Sequence, residues 1–261
     1  MAAMPLIVFD VNETLLDLGT MEPTFERIFG DRGAMRLWFA NLILYSVALT
    51  VAGSYIPFTD IGSAVMKMLA DTRGIKIKEE DKRELTDKFS AMPPYPDVRV
   101  ALSKLRAAGF RLFTLTNNII EVQARQMEHA GIAHFFERLF SVDIVKRHKP
   151  APQTYAQVEK ELDVKPSQLC MIACHTWDTL GAVAAGWEAA LVKRSDLTAS
   201  RWATSDEQET MIKDFKCFRK RLWFVSAARY SPMGDGSYLY FIRHTEIHRP
   251  VRKRHCTVHF Q

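Results

Sequence analysis

Four polar clusters each follow a short apolar run: Asp10 with Asn12 and Thr14 behind "LIVF", Thr116-Asn117-Asn118 at the end of "FRLFTLT", Lys149-Pro150 downstream of "RLFSV", and Cys174-His175-Thr176-Trp177-Asp178 behind "QLCMIA". An acid set directly after four apolar residues is a candidate nucleophile. Ionised, Asp10 can attack an electrophilic carbon or phosphorus and form an ester. Lys149 would hold it anionic by opposite charge and could neutralise an anionic substrate. Thr116 and Asn117 can donate hydrogen bonds to a carboxylate or a departing anion. Asp178 and His175 can orient or deprotonate the water that cleaves the ester.

These residues need a frame that brings their strand ends together. Strands are predicted at 6–10, 110–116, 138–142, 168–173 and 189–193, with helical patterns at 97–108, 119–130, 151–162 and 177–185 between them. Several helices end in a glycine-containing turn ("AAGF", "HAGI", "AAGW"), as a C-terminal cap requires. Strands apolar on both faces, alternating with helices, indicate an α/β fold with a parallel sheet. The clusters then converge on the carboxyl edge of that sheet. Residues 18–93 break the rhythm. They read as helices at 21–30, 34–52, 60–72 and 78–90, closed by Pro93-Pro94-Tyr95-Pro96. This is the expected inserted helical cap, lying over the strand ends where open α/β sheets bind ligands.

"FDVNETLLD", "LTNN", "SVD…KP…Y" and "WDTLGAVAAG" stand in the order and spacing of the haloacid dehalogenase (HAD) superfamily, and the chain most resembles its type II 2-haloacid dehalogenases over about residues 5–194. The resemblance implies a Rossmann-like core (1–17 and 94–196) with a helical cap (18–93). It also implies SN2 attack by Asp10 on the halogen-bearing carbon, followed by hydrolysis at the aspartyl carbonyl. By motif, Thr14 supports the nucleophile loop, Thr116 contacts the substrate carboxylate and Asn117 lies near the leaving halide. Lys149, Tyr155 and Asp178 match positions for charge neutralisation, substrate or nucleophile support, and water positioning. Trp38, Phe39 and Asn12 complete the expected substrate-facing set. The expected substrate is a small haloacid, with no metal and no organic cofactor.

Asn12 bears on the reaction. HAD phosphatases resemble DxD here, the second Asp protonating the leaving alcohol; a halide needs no proton to leave. Cys174 stands where their pattern places a metal-binding Asp, and a thiol is a poor ligand for hard Mg²⁺. Three positions depart from the dehalogenase pattern. Phe39 follows Trp38 where Arg is usual, so either Arg36 or Asn41 compensates or halide stabilisation is weaker. Ala173-Cys174-His175 replaces SSN, and Glu13 replaces the Gly before Thr14, which could perturb the nucleophile loop. Two alternatives therefore stay open: a HAD phosphatase or phosphotransferase, and a catalytically impaired scaffold acting as a binding protein. Each residue also has a plainer use. Asp10 and Asp178 could cap helices, Thr116-Asn117-Asn118 could merely make a turn, Tyr155 and Phe39 could be core, and Cys174 an inert thiol.

The net charge of +5 is uneven, because from Leu197 onward there are 12 basic and 6 acidic residues. The body carries no nucleic-acid footprint. Residues 197–261 lie outside the family pattern. The segment "SYLYFI" with its "GDG" turn suggests a β-hairpin, and the tail is expected to be an added end that packs poorly. His244, His248, His255, Cys256 and His259 match no compact zinc-finger spacing. The start "MAAMP" lacks a basic n-region and the four cysteines form no CxxC pair, so a reducing cytoplasm is expected. The apolar run Leu37–Ala52 is broken by Asn41, Tyr45, Ser46 and Thr50 and is short of the roughly 20 residues of a bilayer span. It suits a buried helix or a homodimer contact, with no membrane partner.

Overall fold

The computed structural model describes residues 5–194 and, as backbone, 222–223 and 238–244. Five parallel strands form the centre: β1 (Leu6–Phe9), β2 (Leu112–Thr116), β3 (Arg138–Ser141), β4 (Leu169–Ala173) and β5 (Glu188–Lys193). Their order is β3-β2-β1-β4-β5, so β1 is flanked on both sides. The chain first builds outward from β1 through β2 to β3, then returns to lay β4 and β5 on the other side. That reversal lies between β1 and β4, and a crevice opens at the carboxyl ends of the strands where such a switch occurs.

Both faces of the sheet are covered, which is why the central strands β1 and β4 are continuous apolar runs. Side chains alternate along β1. Ile7 and Phe9 join a core with the helices of the 22–90 segment, whereas Leu6 and Val8 join Phe113, Leu115, Tyr155 and Trp187 on the opposite face. The core helices are α5 (Val98–Ala107), α6 (Ile120–His129), α7 (Pro152–Leu162) and α8 (Thr176–Ala184). Glycines in the "AAGF" and "AAGW" turns take φ of +87° and +90°, where a side chain would be strained.

Between β1 and α5 lie α1 (Glu22–Phe29), α2 (Gly33–Val51), α3 (Phe58–Thr72) and α4 (Glu79–Ser90), within a residue or two of the sequence expectation. By length and composition α2 passes as a membrane-crossing helix, which the interrupted sequence pattern did not suggest. Its Trp38 lies buried, and donates from Nε1 to the Gly62 carbonyl on α3 at 2.8 Å. Polar threads tie this segment to core loops: Tyr55 donates to Asp143 at 2.7 Å, and the His148 N–H donates to Thr50 at 3.0 Å.

The tail departs from expectation at one strand. Tyr238–His244 (β7) pairs antiparallel with β5, and Leu222–Trp223 (β6) pairs with β7. An apolar sheet edge leaves a row of unpaired N–H and C=O groups, and a strand of alternating aromatics satisfies it. The remaining tail, including His248, His255, Cys256 and His259, lies outside the described residues.

Helix α8 approaches α7 at Gly181. A Cβ there would strike the Tyr155 hydroxyl and lie 2.6 Å from Pro150 Cβ and 2.9 Å from Tyr155 Cε2. Gly181→Ala is expected to destabilise the protein by about 1–3 kcal/mol through overpacking. An unchanged urea-unfolding midpoint would contradict this close packing.

Candidate active site

The last backbone pairing of β1 comes just before the loop: the Asp10 N–H donates to the Ile172 carbonyl at 2.9 Å. Both oxygens of the Asp10 carboxylate are engaged. Lys149 Nζ donates to Oδ1 at 2.8 Å; Thr14 Oγ1 donates to Oδ2 at 2.7 Å, and His175 Nδ1 lies 3.3 Å from Oδ2. Lys149 uses its other two donors on Asp178 Oδ2 at 2.6 Å and the Leu115 carbonyl at 2.9 Å. Tyr155 donates to the remaining Asp178 oxygen, Oδ1, at 2.8 Å. Lys149 is 1% exposed and Asp178 0%. Ions this deeply buried persist only when paired and hydrogen-bonded, and here each one is.

Charge follows from these contacts. Burial opposes ionisation of Asp10, but Lys149 and His175 together overcome it and hold the carboxyl far below its usual range. Asp178 goes the other way: burial and the neighbouring Asp10 charge outweigh Lys149, so its carboxyl is the more basic of the two. For Lys149, burial is outweighed by the two carboxylates, and the ammonium is held charged. Burial likewise disfavours a charged His175, yet Cys174 and hydrogen bonds to Asp10 and Glu13 hold its pKa well above 6.5. Burial pushes the Cys174 thiol up. A thiol kept neutral cannot supply a full charge, so we take the two carboxylates as the partners that keep His175 protonated. The resting imidazolium has no lone pair to accept a proton. A raised proton affinity favours His175 as a cation beside Asp10 over the base that was one of its two uses open from sequence.

Glu13 and His175, both departures from the family pattern, meet each other. Glu13 Oε2 lies 2.9 Å from His175 Nε2, and Arg36 on α2 pairs with Glu13 Oε1. Glu13 has φ +60°, a left-handed backbone that glycine adopts freely and that costs other residues of order 1 kcal/mol or more. Its two charged partners and the Glu13 N–H to Leu16 carbonyl bond (2.9 Å) hold it there. The loop is fixed, not perturbed. Arg36 is committed to Glu13 and to Glu22 at 3.7 Å, while half-buried Asn41 donates to the Leu37 carbonyl.

The remaining candidates divide by position. Thr116 Oγ1 accepts from the Asn118 N–H at 3.2 Å, which leaves its own hydrogen to donate. Asn117 Oδ1 accepts from the Lys149 N–H at 2.9 Å, leaving its amide NH₂ as a donor. Phe39 reaches the cluster, its ring 5.8 Å from that of His175, which stacks on Trp177 at 5.1 Å. Trp38 does not reach it: its ring packs against Phe25, Phe39 and Phe89 and supports Phe39 from behind. Fully buried Tyr155 serves Asp178, and Asn12 Oδ1 accepts from Asn118 at 3.4 Å within the loop network. Three contributors escaped the sequence reading. Arg194 clamps the Thr14 carbonyl from Nη2 at 2.6 Å and pairs with Asp97 at 2.7 Å; Gln126 donates to the Phe89 carbonyl at 2.8 Å and accepts from Asn118; and the Leu115 carbonyl accepts a hydrogen bond from Lys149. Arg194 directly follows β5, so the strand-end rule that found the other clusters could have found it.

The chain matches the family model described as haloacid dehalogenase-like hydrolase over residues 4–186. This protein belongs to that family. Among its relatives, (S)-2-haloacid dehalogenase 2 of Pseudomonas sp. (strain CBS-3) is 30% identical over 191 residues, 72% of this chain and 83% of the relative. Haloacetate dehalogenase H-2 of Moraxella sp. (strain B) is 26% identical, covering 74% and 88%. The structure of L-2-haloacid dehalogenase from Xanthobacter autotrophicus superposes with a TM-score of 0.70 at 25% identity, over 83% of this chain and 88% of that one.

Members of the HAD superfamily that transfer phosphoryl groups use Mg²⁺ beside the nucleophile, and the residues here do not fit that ion. Asp10 shares its neighbourhood with a thiol, an imidazole and a lysine ammonium, whereas Mg²⁺ demands oxygen ligands.

Because the folded protein holds the His175 proton more tightly than the unfolded chain, this group adds stability that is complete below about pH 6.5 and is lost as pH rises through the elevated folded value. Urea midpoints of the wild type should therefore fall above pH 6.5 relative to His175→Gln. Parallel profiles would refute a protonated His175.

Proposed function

We propose that this protein is a hydrolytic dehalogenase that converts a short 2-haloalkanoic acid to the 2-hydroxy acid and halide through an ester on Asp10. The observation that carries this reading is one ammonium, Lys149 Nζ, lying 2.8 Å from Asp10 and 2.6 Å from Asp178. It joins an anionic nucleophile of low basicity to a second, more basic carboxylate, with amide Asn12 where a phosphatase needs an acid.

The steps balance without a cofactor. An Asp10 oxygen attacks C2 of the substrate and the carbon–halogen bond breaks, the halide leaving with its electron pair. Esterification removes one negative charge from a cluster in which Asp10, Glu13 and Asp178 face Lys149, Arg36 and protonated His175. The excess positive charge then holds the substrate carboxylate, which Thr116 and Asn117 bind, and stabilises the departing halide. Water next attacks the Asp10 carbonyl carbon, giving its proton to Asp178. Asp178 passes its proton to the departing hydroxy-acid oxygen as the ester C–O bond at the aspartyl carbonyl breaks, water's second proton is released to solvent, and the Asp10 carboxylate returns with one oxygen from water. Tyr155 and Thr14 position the two carboxylates, and Phe39 gives the halide an apolar, polarisable wall. Helices α1–α4 act as the cap (18–93) that excludes water, above a core of 1–17 and 94–196. The reading places the enzyme in the cytoplasm.

The exposed apolar residues of α2, with Leu44 60% and Val51 83% exposed, fit a second copy of the chain. We read this face as a homodimer contact.

Asp10→Asn should abolish halide release from 2-chloropropionate. Asp178→Asn should slow turnover about 10²–10⁴-fold and accumulate a protein adduct visible by mass spectrometry. Turnover in ¹⁸O-water that leaves Asp10 unlabelled would exclude the ester. For the dimer, light scattering of the wild type and of Leu44→Lys should give a dimer and a monomer respectively; a monomeric wild type removes that contact.

A further inference from the structure

The donors that make Mg²⁺ a poor fit are the ones a softer cation prefers. Asp10 Oδ2, Cys174 Sγ and His175 Nδ1 lie within 4.8 Å of one another, with Sγ to Nδ1 at 3.6 Å and Nδ1 to Oδ2 at 3.3 Å. Tetrahedral zinc, with bonds of about 2.3 Å to sulfur and about 2.0–2.1 Å to nitrogen or oxygen, places such ligand pairs roughly 3.3–3.6 Å apart. The sulfur–nitrogen and nitrogen–oxygen pairs therefore already stand at ligand separations, and the sulfur–oxygen pair lies within 4.8 Å. The other imidazole nitrogen, Nε2, faces the Glu13 carboxylate at 2.9 Å. A carboxylate behind a ligating histidine fixes the ring and raises its basicity, and it is a recurrent partner of zinc-bound imidazole. Arg36 in turn anchors Glu13.

We propose that Asp10, Cys174 and His175 form a binding site for Zn²⁺, or a cation of like softness, and that occupancy switches the enzyme off. Zinc binds cysteine as thiolate and histidine as neutral imidazole, so the protons these groups carry are released to solvent on binding. The ion would draw electron density from Asp10 Oδ2 and replace the His175 cation with a coordinate bond, leaving the carboxylate unable to attack carbon. The binding claim stands on geometry alone. Only the effect on turnover rests on the dehalogenase reading.

Co²⁺ reports such a site directly, because thiolate ligation gives a near-ultraviolet charge-transfer band. Titrating the full-length protein with Co²⁺ should produce that band, Zn²⁺ should displace it, and Cys174→Ser should lack it. Glu13→Gln keeps all three ligands and should weaken Zn²⁺ binding, measured by competition with Co²⁺, by about 10–100-fold. Within each variant, halide release with and without Zn²⁺ should show the same order of sensitivity. No band in the wild type, an undiminished band in Cys174→Ser (which assigns it to another thiol), or wild-type affinity in Glu13→Gln overturns the site. A band without inhibition of halide release overturns the switch while leaving the site, and absent halide release under all conditions counts against the dehalogenase reading alone.

Discussion

One buried ammonium organises the protein's carboxyl edge. Lys149 donates to two carboxylates and a carbonyl, and no water-exposed position could offer it the same set. Removing a charge of this kind from water costs several kcal/mol, recovered only when every donor is met. The requirement reaches far into the fold. β1 must end at Asp10, β2 must present the Leu115 carbonyl, and α8 must deliver Asp178 in its first turn with Tyr155 of α7 behind it. Gly181 is small because Tyr155 has to come that close.

Around this pair the cluster divides two carboxylates that are chemically alike. Asp10 touches two cations, which hold its proton affinity down; Asp178 touches one and sits beside a like charge. Their environments push their proton affinities apart, the usual means by which one fold assigns different tasks to identical groups. A weakly basic carboxylate suits displacement of a halide, and a more basic one suits accepting a proton from water. The pair of replacements at 13 and 175 fits the same logic. A glutamate in a left-handed position and a histidine beside the nucleophile would each be costly alone; together they make an ion pair inside a ring of balanced charge.

Much of the architecture was readable from the chain. Strands buried on both faces are continuous apolar runs, and helices carry capping glycines and helical period, so both kinds of element declared themselves within a few residues. The strand at Tyr238–His244 was visible as aromatic alternation, but its partner was not. Which edge a strand joins depends on where unpaired backbone groups lie in space, and that is settled only when β5 is in place.

The sequence by itself determined that Asp10, Thr116 and Asn117 stand at strand ends and that the loops carrying Lys149 and Asp178 leave the same edge, because parallel strands all end on one side of the sheet. Tertiary structure decided what each side chain touches there. It turned Tyr155 toward Asp178, set Trp38 into the helical core, gave Arg36 to Glu13 instead of a halide, and brought Arg194 onto the nucleophile loop. Contacts between residues 23 to 180 positions apart carry no periodic signal in the chain. Whether His175 holds a proton depends on the sum of those contacts, which only the folded neighbourhood supplies.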